Sequence, residues 1–62
     1  MVRSQRTPLM IAAQNGYADI AKVLLQHGAD PAIKDTNGES ALMIAVNNGY
    51  PEIVKMLINA AA

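Results

Sequence analysis

The amino-acid sequence predicts an all-α repeat protein, an α-solenoid of two stacked helix-turn-helix units joined by a finger with a β-turn at its tip. When the 62-residue chain is shifted by 33 residues against itself, Thr7–Ala29 aligns with Ser40–Ala62, and nearly half of the aligned positions are identical. Each copy has two short apolar segments with helical spacing, and a segment rich in Gly, Asp, Asn and Pro lies between the copies. We therefore expect one domain over residues 1–62, with repeat 1 at about 1–33 and repeat 2 at about 34–62.

The first helix of each copy has clear start and stop signals. Thr7 is a good N-cap, and Pro8 follows at the first helical position, where its missing N–H costs nothing. Ser40 begins the second copy in the same way. We expect these helices to end at Gly16 and Gly49, because glycine readily takes the left-handed conformation that closes a helix.

The second helix of each copy is expected over about residues 18–27 and 51–59. Both segments carry apolar side chains at the i, i+3, i+4 spacing of a buried stripe. The predicted stripe residues are Ile20, Val23 and Leu24 in the first copy, and Ile53, Met56 and Leu57 in the second. We also expect Met10, Met43 and Met56 to pack in the core or between repeats. Helices this short are unstable alone in water, so packing must hold them.

The segment between the helix pairs is predicted to form an extended finger. Gly28 stops the preceding helix, and Pro31 prevents its continuation. The Asp35-Thr36-Asn37-Gly38 sequence is typical of a tight turn in which glycine supplies a positive φ.

Composition and charge exclude several classes of protein. Five Lys and Arg balance five Asp and Glu, so no net charge attracts the protein to nucleic acid or to an anionic membrane. The longest apolar run, Ala41 to Val46, is far shorter than the roughly 18 residues of a membrane span. There is no cysteine, which excludes disulfides, a thiolate nucleophile and Cys-ligated zinc. The first six residues lack the apolar region of a secretory signal, so we expect an intracellular, cytoplasmic location.

The residues that could carry chemistry have structural interpretations. His27 is the only histidine, and it lies at the end of a helix with no nucleophile near it in the pattern, so we predict a surface residue and no catalytic site. Asp30 and Asp35 favour turns over a calcium loop, and no metal or cofactor is expected. Arg3 and Arg6 are read as a solvated, slightly basic arm, too weak for nucleic acid.

These residues resemble the ankyrin repeat family. The 33-residue period is that of the family, and the resemblance covers nearly the whole chain. The matching residues in the first copy are Thr7-Pro8-Leu9, Ala12-Ala13, Gly16, Leu24-Leu25 and Gly28-Ala29-Asp30, and those in the second are Asp35, Gly38, Ser40, Leu42, Ala45 and Gly49. The departures are Met10 and Met43 where the family usually has His, the tyrosines that follow Gly16 and Gly49, and Val2 and Gln5 in place of the first turn's Asp and Gly.

The resemblance implies a non-catalytic protein–protein interaction module, either a piece of a longer array or a minimal engineered unit. Partners of such repeats are expected to contact the finger tips and the exposed turn of each first helix. Carried onto this sequence, the candidate protein-binding residues are Lys34, Thr36, Asn37, Glu39, Asn47, Asn48, Gln14, Asn15 and Arg6. The alternative is a self-associating structural or engineered scaffold that forms a homo-oligomer through its uncapped repeat faces.

Overall fold

A computed structural model describes residues 6–61 as two helix pairs joined by a finger. The four helices are α1 (Pro8–Asn15), α2 (Ala18–Gln26), α3 (Ala41–Asn48) and α4 (Pro51–Ala61). Helix α1 packs beside α3 and α2 packs beside α4, while α1–α2 and α3–α4 form the two hairpins. Val2 and Gln5, which replace the Asp and Gly of the first turn, and Arg3 of the basic arm lie outside the described residues, as does Ala62.

The predicted caps of the first helices are confirmed. The Thr7 hydroxyl accepts a hydrogen bond from the Met10 N–H at 3.2 Å, and the Ser40 hydroxyl accepts one from the Met43 N–H at 3.4 Å. Each bond satisfies a donor that the first turn of a helix would otherwise leave unpaired. Both helices then end at a left-handed glycine, with φ of 76° at Gly16 and 75° at Gly49.

The second helices begin as predicted but end differently. Helix α2 ends at Gln26, and His27 is the exposed residue that caps it. Helix α4 continues two residues beyond the predicted Asn59, because the alanines that follow have the highest helix propensity of any residue.

The core lies between the two helix layers and is built largely from small side chains. Alanine contributes half of its buried apolar positions, which lets the helices approach closely. The buried apolar residues are Leu9, Met10, Ala12, Ala13, Ala21, Ala41, Ile44, Ala45, Ile53 and Leu57. Leu42, the counterpart of Leu9, is only half-buried against this cluster.

The predicted buried stripe is right for α4 and wrong for much of α2. Ile53 and Leu57 are buried, whereas Ile20 and Val23 are about half exposed, and Ala21 is the buried residue of α2. The reason is positional, because this stripe faces the preceding repeat, and among the described residues only α4 has such a neighbour.

The prediction for the three methionines is right for Met10 and Met56 and wrong for Met43. Met10 is buried at the junction between the repeats and Met56 is half-buried, as expected. Met43, the counterpart of Met10, is 46% exposed. It lies on the side of repeat 2 that faces away from repeat 1.

Candidate protein-interaction surface

The finger is organised around one carboxylate. Oδ1 of Asp35 accepts hydrogen bonds from the backbone N–H groups of Asn37 and Glu39, both at 2.9 Å. The backbone N–H of Asp35 donates to the Glu39 carbonyl, and the Gly38 N–H donates back to the Asp35 carbonyl, both at 3.0 Å. Gly38 has a φ of 79°, as the turn requires. Below the turn, Lys34 and Ser40 form an antiparallel bridge that closes the base of the finger.

The surroundings of Asp35 favour its charged form. The hydrogen bond from the Glu39 N–H lowers the pKa of Asp35 below its ordinary value of 3.8, and the Asn37 N–H and the Arg6 guanidinium act in the same direction. Burial opposes this shift, since the carboxylate is removed from water, but the hydrogen bonds prevail. The finger therefore depends on an ionised Asp35.

Arg6 ties the finger to repeat 1. Its Nε lies 3.3 Å from Oδ2 of Asp35, and one terminal nitrogen lies 3.4 Å from Oε1 of Glu39. The interpretation of Arg6 as part of a solvated arm was therefore wrong, because its side chain is only 23% exposed and is held by two carboxylates of the next repeat. A signal was present in the sequence, since Arg6 and Glu39 occupy equivalent positions one period apart with opposite charges.

Four of the candidate residues form a row of hydrogen bonds across both repeats. The other terminal nitrogen of Arg6 donates to Oε1 of Gln14 at 2.9 Å. In repeat 2 the Asn47 amide donates to Oε2 of Glu39 at 3.5 Å. Because the Arg6–Glu39 ion pair joins the two halves, the polar row runs Gln14–Arg6–Glu39–Asn47. We call this row, with the adjoining finger tip, the polar strip.

The remaining candidates fall into two groups. Lys34, Thr36 and Asn37 are exposed at the finger, beside a shallow groove lined by Arg6 and Ile33 among others. Asn15 and Asn48 are exposed at the ends of α1 and α3, outside the hydrogen-bonded row, and each amide donates to the carbonyl four residues earlier, that of Ile11 at 3.1 Å and that of Ile44 at 2.8 Å. Both hydrogen bonds lie within the asparagine's own helix.

Within 6–61, no cluster of three or more His, Asp or Glu side chains is placed to hold a metal ion. None of the helices described is long and apolar enough to cross a membrane.

Each repeat has a pair of helices, of which the first is capped, and the two repeats are joined by a finger built around an aspartate. Together with the 33-residue period, these features define a finger-bearing helical repeat protein. A family model described as ankyrin repeats, in three copies, matches residues 2–62. The chain belongs to the ankyrin repeat family, whose members are generally protein-interaction modules.

Two curated proteins share part of the repeat sequence. Over 36 residues the chain is 53% identical to the potassium channel AKT2/3 of Arabidopsis thaliana, a match that covers 58% of this chain and 4% of the channel. Over 35 residues it is 57% identical to Zygote-specific protein 3 of Chlamydomonas reinhardtii, covering 56% of this chain and 9% of that protein. The chain therefore matches less than a tenth of the length of either relative.

Proposed function

We propose that this chain is a non-catalytic module that binds a protein partner through the polar strip. The observation that carries the proposal is the hydrogen-bonded row Gln14–Arg6–Glu39–Asn47, which holds polar groups from two repeats in fixed positions on one side of the molecule. Groups held in this way lose little conformational entropy when a partner binds.

The chemistry of the strip favours an uncharged, hydrogen-bonding peptide surface as its partner. The guanidinium of Arg6 is already neutralised by Asp35 and Glu39, so it offers little attraction to an acidic segment. Exposed amides at Gln14 and Asn47 can both donate and accept hydrogen bonds. We propose backbone amides of an extended segment as the matching groups.

The test begins with peptides selected for binding to the unaltered protein from a random display library. Affinity is then measured for a variant that truncates the strip at exposed positions, Gln14→Ala/Thr36→Ala/Asn47→Ala. The matched control, Lys22→Ala/Gln26→Ala/Lys55→Ala, removes the same number of exposed polar side chains from the second helices.

We expect the strip variant to weaken the selected peptides at least tenfold, about 1.4 kcal/mol, while the control stays within twofold. Circular dichroism should show the same helicity for both variants. Peptides that tolerate the strip variant but lose affinity for the control would refute the assignment. Cytoplasmic location also stays a prediction, which imaging of the tagged protein in its own cells would check.

A further inference from the structure

Two apolar surfaces lie at opposite ends of the stack. The leading face belongs to repeat 1 and consists of Ile11, Tyr17, Ile20 and Val23. The trailing face belongs to repeat 2 and consists of Met43, Val46, Gly49 and Val54. Most of these side chains are about half exposed, with Val46 at 57% and Tyr17 at 51%, while Val54 is half-buried.

Each of these faces has a counterpart that is buried at the junction between the repeats. Ile11 is 45% exposed, but Ile44, at the equivalent position of repeat 2, is 2% exposed. Met43 is 46% exposed, but its counterpart Met10 is 1% exposed. The junction is therefore made by the same two surfaces that lie open at the ends, with the trailing side of repeat 1 against the leading side of repeat 2.

At the junction a tyrosine ring covers a glycine, and the equivalent glycine on the trailing face is uncovered. The ring of Tyr50 packs against Gly16 so closely that a Cβ atom there would lie 2.7 Å from Cε1 of the ring. Gly49 occupies the equivalent position with the same backbone conformation, and nothing lies within 4 Å of the place where its Cβ would be. An open apolar groove lined by Val46, Tyr50 and Val54 surrounds it. Tyr17, the equivalent tyrosine, is exposed at the other end of the molecule.

The charges beside the two open faces would also be complementary if a second chain continued the stack in the 33-residue register. At the junction Arg6 of repeat 1 lies beside Glu39 of repeat 2, and these two residues are equivalent within the repeat. If a second chain continued the stack, Glu39 of the first chain would therefore come opposite Arg6 of the second.

We propose that a second copy of this chain docks on the trailing face through its leading face and continues the 33-residue register across the two molecules. Tyr17 of the docked copy would fill the groove at Gly49 as Tyr50 covers Gly16. Since the two faces differ, the contact is heterologous and leaves one face free at each end, so addition continues beyond a dimer. The two apolar faces are not part of the polar strip, and the proposed contact involves the strip only through Arg6 and Glu39, so the inference goes beyond the proposed function.

Two side chains limit the fit. Val46 stands where the junction has Ala13, and Val54 stands where it has Ala21; both alanines are fully buried at 0% exposure. Two additional methyl groups must be accommodated at each of these positions of the stack, and crowding of a close-packed contact weakens it. We therefore expect Val46→Ala to strengthen association several-fold. A general tendency of apolar surfaces to adhere would give the opposite result, because this change removes exposed apolar area.

The main experiment breaks the two faces separately. Ile11→Glu/Ile20→Glu places two charges on the leading face, and Met43→Glu/Val46→Glu places two on the trailing face. Gln26→Glu/Asn59→Glu is the control, with the same added charge at two equivalent positions that are exposed in both repeats and belong to neither face. Masses are measured by sedimentation equilibrium across a wide dilution series, with circular dichroism to verify folding.

The unaltered chain and the control should grow beyond dimers as concentration rises, and each broken variant should remain a monomer. An equimolar mixture of the two broken variants should form a one-to-one dimer and nothing larger, since it retains one intact pair of faces. The proposal is overturned if the unaltered chain stays monomeric, if either broken variant associates normally, or if the folded mixture does not pair. Should the charged variants fail to fold, weaker association of Val46→Ala would overturn it as well.

Discussion

The contact between Tyr50 and Gly16 can be tested by a pair of matched substitutions. Gly16→Ala and Gly49→Ala change residues with φ of 76° and 75°, so both place an alanine in the same left-handed conformation. Only at Gly16 does the new methyl group meet the ring of Tyr50. The difference between the two variants therefore isolates the packing of that ring, and the effect of alanine on the unfolded chain cancels.

The expected costs follow from two terms. An alanine in the left-handed conformation costs about 1–2 kcal/mol, which is the whole expected effect of Gly49→Ala. At Gly16 the ring must also move away, and overpacking of this kind costs about 1–3 kcal/mol more. A domain of 62 residues has a total stability of about 3–9 kcal/mol at the usual value per residue. Gly16→Ala should therefore remove a large share of that stability, about 2–5 kcal/mol in total.

Urea titration followed by circular dichroism provides the measurement, at concentrations low enough that self-association does not contribute. We expect the free energy of unfolding to fall further for Gly16→Ala than for Gly49→Ala. With Tyr50→Ala in the background, the difference between the two glycine substitutions should disappear. Equal losses for both glycines in the presence of Tyr50 would show that the ring does not hold the junction in this way.

Two further outcomes are expected. Leu9→Ala should lower the free energy of unfolding by about 2–5 kcal/mol and Leu42→Ala by clearly less, because Leu9 is 2% exposed and Leu42 is only half-buried; equal losses in urea would contradict this. Because folding lowers the pKa of Asp35, its carboxylate stabilises the fold above about pH 4, and this contribution should be lost as the pH falls below 3.8 toward the lowered pKa. Thermal unfolding from pH 7 to pH 2 should show that slope in the unaltered chain and a shallower one in Asp35→Asn.

The helices were predictable from the sequence because their ends are fixed by local chemistry. Thr7 and Ser40 cap their helices through bonds that span only three residues. Gly16 and Gly49 close them through a conformation that glycine takes most easily. The end of α4 was not predictable in this way, because alanine permits a helix to continue without specifying where it stops.

The polar strip was only partly predictable. The resemblance to ankyrin repeats supplied the positions, and four of them are linked in the structure by hydrogen bonds and an ion pair. It did not show that Arg6 is engaged by Asp35 and Glu39, since that contact joins residues 29 and 33 positions apart. The resemblance also did not show that the side-chain amides of Asn15 and Asn48 donate hydrogen bonds within their own helices.

Burial of the apolar residues was the least predictable property, because it depends on the neighbouring repeat. Met10 and Met43 are the same residue at equivalent positions, preceded by leucine and followed by isoleucine in both copies, yet only Met10 is buried. For Ile11 and Ile44 the order is reversed, and only the second is buried. Local sequence therefore determines that a helix forms and which of its sides are apolar, while the stack determines which of those sides are covered. Since each uncovered side copies a surface that already has a partner in the molecule, the internal junction is itself the best guide to what the open faces can bind.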